Sequence, residues 1–114
     1  MHAYVINLAQ ATERWALMES QLEAFAIDYT RIEAVYGDKL TLPHEDYNSR
    51  KYNVLHGKTT NRRELGCYFS HIKALRAFLD SEAEHALILE DDIQLPEGIL
   101  EIIDSALALS LIHI

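Results

Sequence analysis

The sequence predicts an α/β fold, a Rossmann-like parallel sheet with flanking helices, on three observations. Short apolar runs occupy residues 3–8 and 85–89, and a third stretch, 28–35, alternates in the manner of a strand. Amphipathic stretches with helical spacing follow each of them, giving the order βαβ, long loop, αβα. Right-handed crossovers then make the strands parallel and put helices on the faces of the sheet, and no internal repeat or low-complexity segment competes with that order.

Residues 3–8 contain Tyr4, Val5 and Ile6, the composition of a buried parallel strand. Thr12 opens a helix in which Trp15, Met18, Leu22 and Phe25 recur on one face with Leu17 and Ala26 beside them, while Glu13, Arg14, Glu19, Ser20 and Glu23 take the wet positions. In 28–35, Tyr29, Arg31 and Glu33 alternate against Thr30, Ile32 and Ala34, a pattern less apolar than the first strand and so suited to the sheet edge. Gly37 and Asp38 end it. No period persists over 37–60, a stretch far longer than the common connection of about four to six residues. Tyr47, Tyr52, Arg50, Lys51 and Lys58 in this loop could cover a ligand, and an ordinary surface excursion explains them as well.

Asn61 is placed as an N-cap with Glu64 reaching back in a capping box. Leu65, Tyr68, Phe69, Ile72, Leu75 and Leu79 form one apolar row, and Cys67, His71, Ala74 and Phe78 a second beside it, so the reading is a helix buried over a wide arc. Gly66 in its first turn costs about 1 kcal/mol of helix propensity against Ala. Its presence implies a close approach to the backbone there, by a packed neighbour or a ligand. After the strand at 85–89, Pro96 and Glu97 start a last helix through Ile99, Ile102, Ile103, Ala106 and Leu107.

At 114 residues and 49% hydrophobic content the chain is bounded to one domain, 1–114. The apolar end, 109–114, reads either as a point where a longer parent chain continues or as a non-native tail, so the expectation is an N-terminal portion. A net charge of −8, with no basic cluster beyond Arg62 and Arg63, excludes a nucleic-acid backbone as partner. The single Cys67 cannot form an internal disulfide, which points to a reducing, cytoplasmic setting. The opening residues lack a basic leader and turn polar quickly, so they form neither a signal peptide nor a transmembrane segment.

Three consecutive acids, Glu90, Asp91 and Asp92, follow the third strand. Alternation puts Glu90 and Asp92 on one side and Asp91 on the other, unless the chain has already left the sheet. Crowded carboxylates raise one another's pKa, and a hard divalent cation, often held jointly with phosphates, lets all of them stay ionised. In open α/β sheets ligands gather at the carboxyl ends of strands, so the acids imply a metal and a nucleotide. A plain strand end with an acidic turn before Pro96 is the competing reading.

Three segments resemble glycosyltransferase family 25, the group that includes lipooligosaccharide galactosyltransferases and the galactosyltransferase domains of collagen-modifying enzymes. They are Tyr4, Val5, Ile6, Asn7 and Leu8 with Thr12, Glu13 and Arg14; then Glu64, Leu65, Gly66, Cys67, Tyr68, Phe69, Ser70 and His71; then Leu87, Ile88, Leu89, Glu90, Asp91, Asp92 and Ile93. Gln10 departs from the family, which usually has a basic residue there. The resemblance implies a GT-A type, nucleotide-sugar-binding half that carries a hexose, galactose first, from a UDP-sugar to a lipooligosaccharide, LPS or other glycan acceptor. It implies Mn2+ or Mg2+ on the acidic motif, with Asp92 the preferred metal ligand and Glu90 or Asp91 assisting or bonding the donor's ribose. It also implies Asn7, Leu8 and Arg14 beside the nucleotide, Arg14 on a phosphate. It leaves open a peripheral membrane association of the full-length protein.

Ser70 and His71 match the family segment, but a histidine on the flank of a buried helix reads first as a packed core residue, and the catalytic residue is not assignable from the sequence. Two alternatives stand beside the transferase: a non-catalytic nucleotide-binding fragment, and a receiver-like phosphoacceptor domain. A receiver needs its acidic pair after the first strand, where this chain has Ala9 and Gln10.

Overall fold

The computed structural model describes residues 1–37 and 62–112. The elements run β1 (His2–Asn7), α1 (Thr12–Ala24), β2 (Asp28–Glu33), α2 (Arg62–Leu79), β3 (Ala86–Glu90) and α3 (Ile99–Ile112). The three strands form one parallel sheet in the order β2-β1-β3. This is the α/β arrangement expected from the sequence. The loop at 37–60, the Asn61 cap and the last two residues of the tail fall, beyond Gly37, outside the described residues.

β1 is the central strand, which is why its side chains are apolar on both faces: Ala3, Tyr4, Val5 and Ile6 are all buried. Its odd positions face α1. There Ala3 and Val5 pack with Met18, Leu22, Ile27 and Leu89, and Trp15, Phe25 and Tyr29 close the edge. Its even positions face α2, where Tyr4 and Ile6 pack with Ile32 and Ala74. Met18 and Leu22 are fully buried, and each such side chain contributes about 1.5–3 kcal/mol. Leu17, read as part of the packed face of α1, is instead 68% exposed, because the helix buries a stripe narrower than the sequence allowed.

The topology has a consequence for the site. The β1–α1–β2 crossover runs to one side of β1, and the β2–α2–β3 crossover passes back over β1 to the other side, so helices cover opposite faces. The reversal leaves a crevice between the carboxyl ends of β1 and β3. Register sharpens it, because Ile6 pairs with both Ile32 and Glu90, so β1 and β3 end level with one another.

Several boundaries differ from the sequence reading, each for a local reason. β2 stops at Glu33: the Ala34 amide still donates to the Asn7 carbonyl at 2.9 Å, but the Val35 amide turns to the Ser70 hydroxyl at 2.8 Å. α2 buries Leu65, Gly66, Phe69, Ser70 and Ala74, while Tyr68, Leu75 and Leu79 are exposed, so its covered arc is narrower than expected. α3 begins at Ile99 rather than at Pro96, because Gly98 adopts φ +76° and breaks the first turn. Gln21 of α1 fixes this stretch from below, accepting the Leu95 amide at 2.6 Å and donating to the Ile93 carbonyl at 3.2 Å. Among the described residues no helix is long and apolar enough to cross a membrane.

Gly66 has the close neighbour its position implied, and the neighbour is the chain itself. A Cβ there would lie 2.7 Å from both the Gly37 nitrogen and the Val35 oxygen, which are backbone atoms that cannot swing aside. Gly66→Ala therefore gains about 1 kcal/mol of helix propensity and loses more to overpacking, for a net destabilisation of about 1–2 kcal/mol in urea unfolding. A variant as stable as the parent would contradict this close approach.

Candidate functional site

β1 ends on Asn7, whose side chain is 1% exposed. Its amide nitrogen donates to the Ala11 carbonyl at 3.1 Å and to the Asp91 carboxylate at 2.7 Å. Its amide oxygen accepts from Arg31 of β2, at 3.0 Å from Nε and again from Nη2. A primary amide offers two donors and two acceptor positions, and all four are used. Asn7 thus lies beneath the crevice rather than on its surface, tying both neighbouring strands and the start of α1 together.

The three acids separate at the strand end. Glu90 is the last residue of β3 and keeps the parity of Ile88, so it faces α2. There Glu90 Oε1 lies 3.2 Å from His71 Nε2 and accepts the Cys67 thiol at 3.4 Å. Asp91 begins a turn and points the other way, toward α1, where Arg14 Nη1 lies 3.6 Å from its Oδ1. The Asp91 side chain is 13% exposed and that of Arg14 is 64% exposed, so the pair sets the direction of Arg14 more than it adds stability. Asp92 is exposed and makes no hydrogen bond or ion pair with another described residue.

These residues border one open cleft of about 430 Å³, walled by Leu8 and Arg14 on the β1–α1 side, Arg63 and Cys67 on α2, and Glu90 with Asp92 on the β3 side. Two arginines and the three acids thus line one space of small-molecule size. The structure brings Leu8, Arg14, Glu90, Asp91 and Asp92 to this cleft and holds Asn7 below it. His71 is not the packed core residue that its helix suggested: its side chain is 42% exposed, and it reaches Glu90.

The sequence profile of glycosyltransferase family 25 (LPS biosynthesis protein) matches residues 1–111. The chain belongs to glycosyltransferase family 25. It is 28% identical over 96 residues to procollagen galactosyltransferase 1-B of Xenopus laevis, covering 80% of this chain and 16% of that protein. It is 26% identical over 104 residues to a glycosyltransferase 25 family member of Anopheles gambiae, covering 82% and 17%. With procollagen galactosyltransferase 2 of Homo sapiens it is 28% identical over 98 residues, covering 80% and 15%. The chain thus spans about a sixth of the length of the curated relatives it matches.

Two residues that hold this cleft together were missed in the sequence reading. Arg31 was visible as a basic residue sharing the strand parity of Tyr29, and that placement is the signal that could have found it; it also lies over the Trp15 ring at 5.2 Å. Gln21, one residue before the buried Leu22, was hidden among ordinary polar helix positions. Ser70 is a structural link, donating to the Gly66 carbonyl at 2.7 Å while accepting the Val35 amide.

Partial desolvation of the Cys67 thiol raises its pKa, and the adjacent Glu90 carboxylate raises it further by accepting the thiol proton and repelling the thiolate. The thiolate fraction at neutral pH is therefore below that of a free cysteine. Alkylation of Cys67 by iodoacetamide is expected to be slow at pH 7 and to speed up only at higher pH than for a model thiol. Removing the charge in Glu90→Gln shifts that profile toward lower pH, and an unchanged profile would contradict the coupling.

Proposed function

We propose that the chain is the donor-binding half of a metal-assisted hexosyltransferase, acting on a UDP-sugar and transferring galactose to a lipooligosaccharide, LPS or other glycan acceptor. The observation that carries this reading is the cleft at the switch point between β1 and β3, lined by two arginines and three carboxylates. Membership of family 25 and the galactosyltransferase names of the relatives support the reaction class and the sugar.

The donor set suits a hard cation. Glu90 and Asp92 border the same cleft, and oxygen ligands of this kind take Mn2+ or Mg2+. Asp92, exposed and uncommitted, is the primary ligand in this proposal, and Glu90 the second. An ion held by Asp92 and Glu90 would supply positive charge to offset that of a diphosphate leaving group. Arg14, steadied by Asp91, and Arg63 present guanidinium groups that match phosphate oxygens. Leu8 offers an apolar edge to the base or ribose, and Asn7 contributes by fixing Asp91. The proposal assigns no residue of this chain as the general base for the acceptor hydroxyl. The proposal extends to a cytosolic setting, in keeping with the lone thiol of Cys67, and to peripheral membrane association of the whole protein with its lipid-linked acceptor.

Calorimetric titration of UDP into the protein, with and without Mn2+ and on Asp92→Ala, tests the reading. Binding is expected only with the metal and is expected to fall by about ten-fold or more, some 1.4 kcal/mol, in the variant. Metal-independent binding, or none by a folded chain, would overturn it.

A further inference from the structure

The acids of the cleft do not form one set, and the separated member keeps different company. Cys67 and His71 stand four residues apart on α2, the spacing that puts two side chains on one helix face. Glu90 comes to them from the end of β3. One ligand atom from each of Cys67, His71 and Glu90 lies within 4.8 Å of the other two, the one such group of potential metal ligands among the described residues.

We propose that Cys67, His71 and Glu90 form a binding site for Zn2+ or a similar late divalent cation, distinct from the hard-cation function of Asp92. The spacing of the atoms carries the inference. Zn–S, Zn–N and Zn–O bonds of about 2.3, 2.05 and 2.1 Å in a tetrahedron require S···O and N···O edges of about 3.6 and 3.4 Å. The observed edges are 3.4 Å for Cys67 Sγ to Glu90 Oε1 and 3.2 Å for His71 Nε2 to the same oxygen. These two edges need movements of a few tenths of an ångström, and the third, between the Cys67 and His71 ligand atoms, lies within 4.8 Å against about 3.6 Å required, so closing the site also draws those two side chains together.

Ligand chemistry selects the ion. A thiolate and an imidazole favour zinc and its neighbours over Mn2+ or Mg2+, whereas Asp92 offers only oxygen. The thiol gives up its proton on binding, and the three protein atoms leave a fourth position open, the pattern of zinc sites that keep an exchangeable ligand. Cys67 and Glu90 both border the cleft, so that fourth position is within reach of whatever the cleft holds. On this assignment Glu90 can serve either the cation of Asp92 or that of Cys67 and His71, and zinc draws it to the second.

Co2+ is the probe that tests the site, because its thiolate complexes absorb in the near ultraviolet and its tetrahedral complexes in the visible. Titrated alone into the reduced protein, Co2+ is expected to give both bands, saturating at one ion per chain and displaced by Zn2+. Cys67→Ser abolishes the thiolate band, and His71→Ala weakens binding by about ten-fold or more. Circular dichroism of each variant verifies that it is folded. Asp92→Ala, which leaves all three ligands in place, retains the bands. Absence of a thiolate band in the folded parent overturns the proposal. So does a band of equal affinity in His71→Ala and Glu90→Gln, which marks cobalt on an isolated thiol.

Discussion

The arrangement of this molecule rests on one buried amide. Asn7 ends the central strand with 1% of its surface exposed, and its two donors and two acceptor positions reach three residues: Arg31 on β2, Ala11 at the N-cap of α1 and Asp91 beyond β3. Leaving a buried donor or acceptor unmatched costs about 1–3 kcal/mol, so each partner is held to its place by the others. Arg31 is held over Trp15, the first turn of α1 is held against the strand, and Asp91 is held inward. Without this bridge the acidic turn would be held by β3, an edge strand among the described residues, and by the contacts of Gln21 and Arg14 from α1.

From that constraint follows the division of the acids. Because β1 and β3 end level, the chain leaving β3 passes directly beside Asn7, which takes Asp91 and so directs it toward α1 and Arg14. Strand parity sends Glu90 to α2, where Cys67 and His71 meet it. Asp92 is left facing solvent at the mouth of the cleft. Three adjacent carboxylates thereby avoid mutual repulsion without all requiring the same counter-ion, one facing an arginine, one facing a thiol and an imidazole, and one open to a cation. The proposed donor site depends on this crevice, which the reversal of crossover direction creates.

Much of this was legible in the sequence where local pattern and tertiary role coincide. β1 read clearly because a central parallel strand is apolar on both faces, and Gly66 announced a close contact because nothing else favours glycine in a helix. The acidic triplet after an apolar run pointed to the strand ends, where topology puts the cleft. The width of buried helix faces was not legible: Leu17, Tyr68 and Leu79 carry the right spacing but lie beyond the stripe that the sheet covers. Arg31 and Gln21 escaped because their importance lies in partners far along the chain, Asn7 at a separation of 24 residues and Leu95 at 74. A hydrogen bond of that range leaves no period in the sequence. His71 was misread for the same reason, since its partner Glu90 sits on another element.

The most direct test of the account is a double-mutant cycle on Asn7 and Asp91, with urea unfolding of Asn7→Ala, Asp91→Ala and the double variant. If the buried amide ties the acidic turn to the sheet, the two effects are coupled by about 1–2 kcal/mol, as for residues in one hydrogen-bond network. Additive effects, within about 0.5 kcal/mol, would mean that the turn holds its place without Asn7, and the account built on that amide would fail.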